Sequence, residues 1–136
     1  MKLDANCVRD VLLFLEAEQN VITNDFGYVE VVGSFLPEIC KHLPQYPQEK
    51  LYYTLSKLED GGYLDLSEQW ADDSLRFCCV NYITYDGHEF LEKIRPATVW
   101  EKTTKVVGKI GSYSLQLIAK VAEGVATAYI NKLISG

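Results

Sequence analysis

Positive charge is in short supply in this chain. Its 136 residues hold 13 Lys and Arg against 19 Asp and Glu, a net charge of −6 and an isoelectric point near 4.9. That deficit argues against a general nucleic-acid coat protein, which needs a surplus of cations close to phosphates. Long apolar runs are also missing. The longest stretch without a charged side chain is the ten residues Ile110 to Ala119, after which Lys120 and Glu123 intervene. A spanning helix needs about 20 apolar residues, so none is expected. The opening Met-Lys-Leu-Asp-Ala-Asn has no apolar signal core, and the chain reads as cytoplasmic. No catalytic signature occurs. What is present is an ordinary globular composition, 48% hydrophobic and 24% charged, of a length that suits one domain or one domain with an appendage.

Four cysteines, Cys7, Cys40, Cys78 and Cys79, include no Cys-x-x-Cys pair. Cys78 and Cys79 are neighbours in a predicted strand, so their side chains should point to opposite faces. Cys40 and His42 are a conceivable ligand pair, but the spacing fits no structural zinc motif. The cysteines read as small buried hydrophobes in a reducing compartment, and no metal or cofactor is expected.

Periodicity predicts a helix from Asp4, as N-cap, to about Gln19, with Val8, Val11, Leu12 and Leu15 on its inner face. Residues 20–27 carry loop chemistry. A short β-prone run follows at Tyr28 to Val32. Gly33 or Ser34 should open a second helix, Phe35 to about Leu43, with Pro37 in its first turn. A third helix is expected from about Pro47 to Asp60, with Leu51, Leu55 and Leu58 buried and Gly61-Gly62 as its stop. Tyr63 to Leu66 and Leu75 to about Ile83 read as a β-hairpin with a long polar tip, Glu68 to Ser74. Thr84 or Asp86 should cap a fourth helix through Phe90, Leu91 and Ile94, with Asp86-Gly-His-Glu89 matching an acidic cap. A fifth helix is expected from Pro96 to about Val107, broken by Gly108 and Gly111, and a last one from about Ser114 to Ile134.

The order helix, short strand, helix, helix, β-hairpin, helix resembles a winged-helix domain over residues 4–95. The phrase LSKLEDGGYLDL (55–66) is similar to the usual exit from its third helix. The segment YITYDGHEFLEKIR (82–95) resembles the strand-to-helix exit of many winged-helix regulators, with Thr84 and Gly87 opening the helix. The fold class expected is therefore α+β, mainly helical: a winged helix-turn-helix at 1–95 with a C-terminal helical extension at 96–136, for packing or dimerisation. MKLDANCVRDVLLFLE at the start, ITYDGHEFLEKIRPATVWEKT (83–103) and the Gly-interrupted VGKIGSYSLQLIAKVA (107–122) resemble a group of small proteins from phages and prophages of Gram-positive bacteria, a domain of unknown function. That resemblance implies a mobile-element origin and carries over no catalytic or binding residue.

Burying Leu51, Leu55 and Leu58 leaves Tyr46, Lys50, Tyr53 and Lys57 on one outward stripe of the third helix. In a winged helix this helix enters the DNA major groove. Against DNA stand Glu49, Glu59 and Asp60 on the same helix, and Glu68, Asp72 and Asp73 on the hairpin, which would repel phosphates. Residues 1–95 hold 8 basic and 17 acidic side chains, a net of −9, while residues 96–136 hold 5 and 2, a net of +3. The stripe therefore reads as a solvated face, a DNA contact or a protein contact. His88 between Asp86 and Glu89 suggests a base or a ligand, but neighbours along a helix do not converge, and capping explains them. Trp70 at the hairpin tip is either a partner anchor or folded back on the domain.

In the last helix Ile118, Ala122, Val125, Tyr129 and Leu133 form one stripe. Leu115, Ala119, Val121, Ala126 and Ile130 widen it beyond the arc of roughly 100° that one packed neighbour needs. It either packs inside the monomer, on the first helix and the Trp100 helix, or builds a homodimer. Few lysines border it, which speaks against a membrane surface. The reading that follows is a non-enzymatic regulatory or interaction protein of a phage or prophage. It acts on an unidentified protein partner through an acidic winged-helix face. The alternative is a DNA-binding transcriptional regulator reading with Lys50, Tyr53 and Lys57.

Overall fold

A computed structural model describes residues 1–18, 21–111 and 113–136. The fold is α+β and mostly helical, with two small antiparallel sheets. Helix α1 (Ala5–Ala17) begins where Asp4 accepts a hydrogen bond from the Cys7 amide, as expected. It ends at Ala17; the predicted end at Gln19 and the loop start at Asn20 lie outside the described residues. The predicted loop after it contains a strand: β1 (Val21–Thr23) pairs with β2 (Val29–Val31), Ile22 opposite Glu30. Asn24 explains the turn. Its side-chain oxygen accepts from the Phe26 and Tyr28 amides. The turn chemistry was readable, whereas three residues are too few to show an alternation.

Strand β3 (Ser34–Phe35) leads directly into α2 (Leu36–His42), with Phe35 at the cap position and Pro37 in the first turn. Ser34 thus belongs to a strand and does not open the helix. Helix α3 (Gln48–Asp60) buries Leu51, Leu55 and Leu58 as its spacing requires. Strands β4 (Leu64–Ala71) and β5 (Ser74–Ile83) form the hairpin, and β3 joins the outer side of β5, giving the order β3-β5-β4. The long polar tip is corrected to a tight turn. Ala71 pairs with Ser74, and only Asp72 and Asp73 intervene, both with positive φ, 52° and 61°. Two left-handed residues match the right-handed twist of the strands they join, and Asp tolerates the conformation.

Helix α4 (Tyr85–Ile94) is capped by Thr84, whose hydroxyl accepts from the Gly87 amide at 3.0 Å. Asp86 lies inside the first turn and is not the cap. Helix α5 (Ala97–Ile110) runs through Gly108 and stops at Gly111, φ 80°. A helical glycine costs only about 1 kcal/mol relative to alanine, so Gly108 does not break the helix, whereas a left-handed Gly111 ends it. Helix α6 (Leu115–Ser135) is capped by Ser114.

One core joins these elements. Val8, Val11 and Leu12 of α1 meet Leu51, Leu55 and Leu58 of α3, and Phe90, Leu91 and Ile94 of α4; Val99, Trp100 and Val107 of α5 and Ile118 and Ala122 of α6 continue it. Cys78 enters this core, while Cys79 on the opposite face lies against β3 and Gly33. The α4–α5 corner is clamped from α1. The Arg9 guanidinium donates to the carbonyls of Ile94 and Arg95 at 3.0 and 2.6 Å and lies 5.9 Å from the centre of the Trp100 ring. Trp100 in turn donates its indole N–H to Asn6 at 3.0 Å. Arg95 closes the corner from outside through ion pairs to Glu16 and Glu92.

Two glycines are fixed for different reasons. Gly62 ends α3 with φ 81° and open space where a Cβ would stand, so only the conformation resists a side chain. Gly87 has an ordinary φ, but a Cβ would collide with the Tyr63 carbonyl and lie 2.7 Å from the Ile83 Cγ2. In chemical denaturation Gly62→Ala should cost about 1 kcal/mol. Gly87→Ala should cost more, at least the ~1–3 kcal/mol of an overpacked core. Gly124→Ala, helical and with open space around it, should be neutral or stabilising by up to ~1 kcal/mol. Equal losses at Gly62 and Gly87 would refute the packing argument.

Candidate functional site

The outward stripe of α3 is largely spoken for within the chain. Tyr46 lies before the helix, and its hydroxyl donates to Asp10 of α1 at 2.6 Å. Burial and that bond push the phenol well above its usual range. Lys50 donates to Asp4 at 3.0 Å and tethers the N-cap of α1 to α3. Lys57 lies 5.4 Å from the Tyr53 ring centre and 3.9 Å from Asp60. Of the eight Lys and Arg within residues 1–95, six engage a carboxylate or carbonyl of the chain. Among the described residues Lys2 and Lys41 have no such partner.

Trp70 lies on β4, opposite Leu75, and not at the hairpin tip. It folds back toward α3 while staying 55% exposed. Its ring meets Tyr52 edge-on at 6.0 Å. One oxygen of Glu68 accepts from both rings, at 2.8 Å from the Tyr52 hydroxyl and 2.9 Å from the Trp70 indole nitrogen. Burial, and then the bond to Glu68, push the Tyr52 phenol up to about 12, so it remains a donor at neutral pH. Beside these rings runs an open groove of about 380 Å³ between α3 and the hairpin, lined by Leu36, Tyr53, Leu75 and Glu49 among others. Tyr53 alone of the predicted stripe reaches it. The sequence marks Glu68 only as one acid of the hairpin, and its pairing with Tyr52 is not readable there because the bond joins residues sixteen apart on different elements.

Other candidates do not assemble. His88, Asp86 and Glu89 are exposed on the first turns of α4. Each cysteine has its thiol pushed up by burial, Cys78 to about 12, which keeps them protonated and unreactive at neutral pH. Among the described residues no cluster of three His, Cys, Asp or Glu side chains is placed to hold a metal ion. Of the predicted assembly stripe, Ile118 and Ala122 are fully buried within the chain, and Val125 is half-buried. Tyr129 and Leu133 are exposed, with Ile130 and Ile134 beside them.

Asp4 makes the role of Lys50 testable. Burial raises its pKa, but the bonds from Lys50 and the Cys7 amide outweigh that and hold it below the ordinary carboxylate range. A depressed folded pKa gives stability that is present above the unfolded value, about 4, and lost as pH falls through the folded one. Lys50→Ala should therefore destabilise the fold at neutral pH and flatten the acid limb of its stability profile, read by urea denaturation across the acid range. An unchanged profile would return Lys50 to the free surface.

Residues 2–114 match the sequence profile of a family described as hypothetical proteins, DUF2513. An uncharacterised protein of Haemophilus influenzae is 28% identical over 137 residues, covering 99% of this chain and the whole of that one. No solved structure matches. Since the profile spans α1 to the end of α5, well over half the chain, the chain belongs to the DUF2513 family.

Proposed function

We propose that the protein is a non-enzymatic regulatory or interaction protein of phage or prophage origin, working in the cytoplasm by protein contact. Its contact module is an acidic winged helix at residues 1–95, carried on a helical extension at 96–136. With the β1–β2 hairpin as an insertion after α1, the element order α1, β3, α2, α3, β4, β5 and the sheet order β3-β5-β4 support a winged helix, with α3 as its third helix and the β4–β5 hairpin as its wing. Fold alone does not decide what such a module binds.

The observation that carries the reading is the Glu68 carboxylate holding Tyr52 and Trp70 beside an apolar groove. Preset aromatic rings lose little entropy on binding and are the usual anchors of protein interfaces. Glu49 lines the groove, and Asp72 and Asp73 stand at the end of the same hairpin. The ligand that fits is a peptide segment with an apolar side chain flanked by Lys or Arg. DNA fits poorly, because Lys50 is committed to Asp4 and the wing turn is acidic. A second copy would pack on the end of α6, at half-buried Val125 and exposed Tyr129 and Leu133.

Two measurements test the contact. Peptides selected from a random library on the full chain should be rich in Lys or Arg around an aromatic or aliphatic residue. Selection should fail on Trp70→Ala and lose its basic bias on Glu49→Lys. In fluorescence anisotropy the chain should bind random duplex DNA no tighter than about 10⁻⁴ M at physiological salt. Micromolar binding that weakens with salt and drops further in Lys57→Ala would make the protein a DNA-binding regulator instead.

A further inference from the structure

The β1–β2 hairpin, residues 21–31, has no buried face. Phe26 at its turn is 84% exposed, and Tyr28, Val29 and Val31 are exposed as well. A two-stranded ribbon alone is marginal in water, and a contiguous apolar surface on it marks a contact. The arm carries Asp25 and Glu30 and no cation. Among the described residues neither acid has an ion-pair partner.

The opposite charge and shape occur on the same chain. A groove of about 410 Å³ lies between the first turns of α5 and the last turns of α6, floored by Val99, Val125, Ala128 and Tyr129 and edged by Lys102 and Lys132. Residues 96–136 carry a net +3. Their two acids are already engaged, Glu101 with Lys105 at 3.7 Å and Glu123 with Lys93 at 3.9 Å. Lys102 and Lys132 have no carboxylate partner among the described residues.

We propose that this groove receives the β1–β2 arm of a second copy, with Phe26 seated on the apolar floor and Asp25 and Glu30 meeting Lys102 and Lys132. Charge selects this occupant. A symmetric contact of α6 with α6 would set the lysines of one copy against those of the other, since an isologous interface repeats the same patch. The arm offers acids in place of lysines. Position agrees. Glu16, near the end of α1 and just before the arm, pairs with Arg95, two residues ahead of α5. The end of α1, the helix that precedes the arm, is thus held beside the start of α5, which lines the groove, and the proposed contact is a reciprocal exchange of both arms about a two-fold axis. The inference rests on the dimer reading of α6 and names what covers its groove.

Sedimentation equilibrium of the full chain tests it. The wild type should dimerise, more weakly at high salt. Phe26→Ser, at a site too exposed to disturb folding, should raise the dimer dissociation constant by about tenfold or more, as removal of an interface anchor does. Asp25→Lys with Glu30→Lys should weaken the dimer, Lys102→Glu with Lys132→Glu should do the same, and all four together should restore it. A monomeric wild type at high micromolar concentration overturns both the arm exchange and the dimer reading. A dimer that survives Phe26→Ser but fails in Leu133→Glu overturns the arm exchange alone, as does a quadruple variant that stays monomeric.

Discussion

The Arg9 guanidinium holds the corner on which the rest of the molecule is assembled. The last carbonyls of a helix have no partner inside it, and the α4 end would bury them unpaired without a donor from elsewhere. Arg9 supplies that donor from α1 with a charged group, the stronger kind of hydrogen bond, and lies over the face of Trp100 in doing so. The direction in which α5 leaves α4 follows from this clamp. So does the seat of α6, whose Ile118 and Ala122 complete the core begun by α1. On or beside α1, Asp4 is bonded to α3, Asp10 to Tyr46 just before α3, Asn6 to α5, and both Arg9 and Glu16 to the α4–α5 corner. Helix α1 is therefore the polar as well as the apolar organiser of the fold.

That organisation decides what α3 has left to offer. A helix face rich in Lys and Tyr suggests a ligand when read alone. Here Tyr46 and Lys50 are drawn toward α1 by Asp10 and Asp4, and the free side of α3 shifts by a fraction of a turn toward Tyr52, Tyr53 and the hairpin. The surface that results is aromatic and acidic where the bare stripe was basic. A lysine bonded to a partly buried carboxylate must break that bond before it can neutralise a phosphate, so its charge is of little use to DNA.

The helices were legible because each carries an apolar stripe over several turns and punctuates its ends. Val8, Val11, Leu12 and Leu15, the triplet Leu51, Leu55 and Leu58, the Asp4 cap and the Gly62 stop all lie where their spacing puts them. Strand β1 was not legible, since three residues define no period. The hairpin tip misled because Asp-Asp between two strands reads as loop chemistry, although the same pair tolerates the left-handed turn that allows Ala71 to face Ser74. The site was the least legible part. Tyr53 and Trp70 were singled out, but the Glu68 bond that arranges Tyr52 and Trp70, and the Asp4 bond that removes Lys50, join residues 16 and 46 positions apart. No local pattern encodes such a pairing. It follows only once α3 is packed between α1 and the hairpin.

Folding does little to neutralise the two ends of this chain against each other. Among the described residues one ion pair, Lys93 with Glu123, crosses between residues 1–95 and 96–136, and it uses a cation of the acidic part and an acid of the basic part. Pairing minority charges in this way leaves the majority charges at the surface, so each part keeps its own sign. Exposed charges act over about a Debye length, roughly 8 Å at physiological salt. Surfaces of opposite sign that are not paired within one chain can each meet the opposite surface of a neighbour. Unrestrained, that complementarity would build open chains of molecules. It closes on a pair only where the acidic and basic elements of two copies meet reciprocally about a two-fold axis, as the proposed exchange of the β1–β2 arms would have them do. The Glu16–Arg95 ion pair holds the end of α1, the helix that precedes the arm, at the α4–α5 corner, and so ties the proposed exchange to the same contact that steadies that corner.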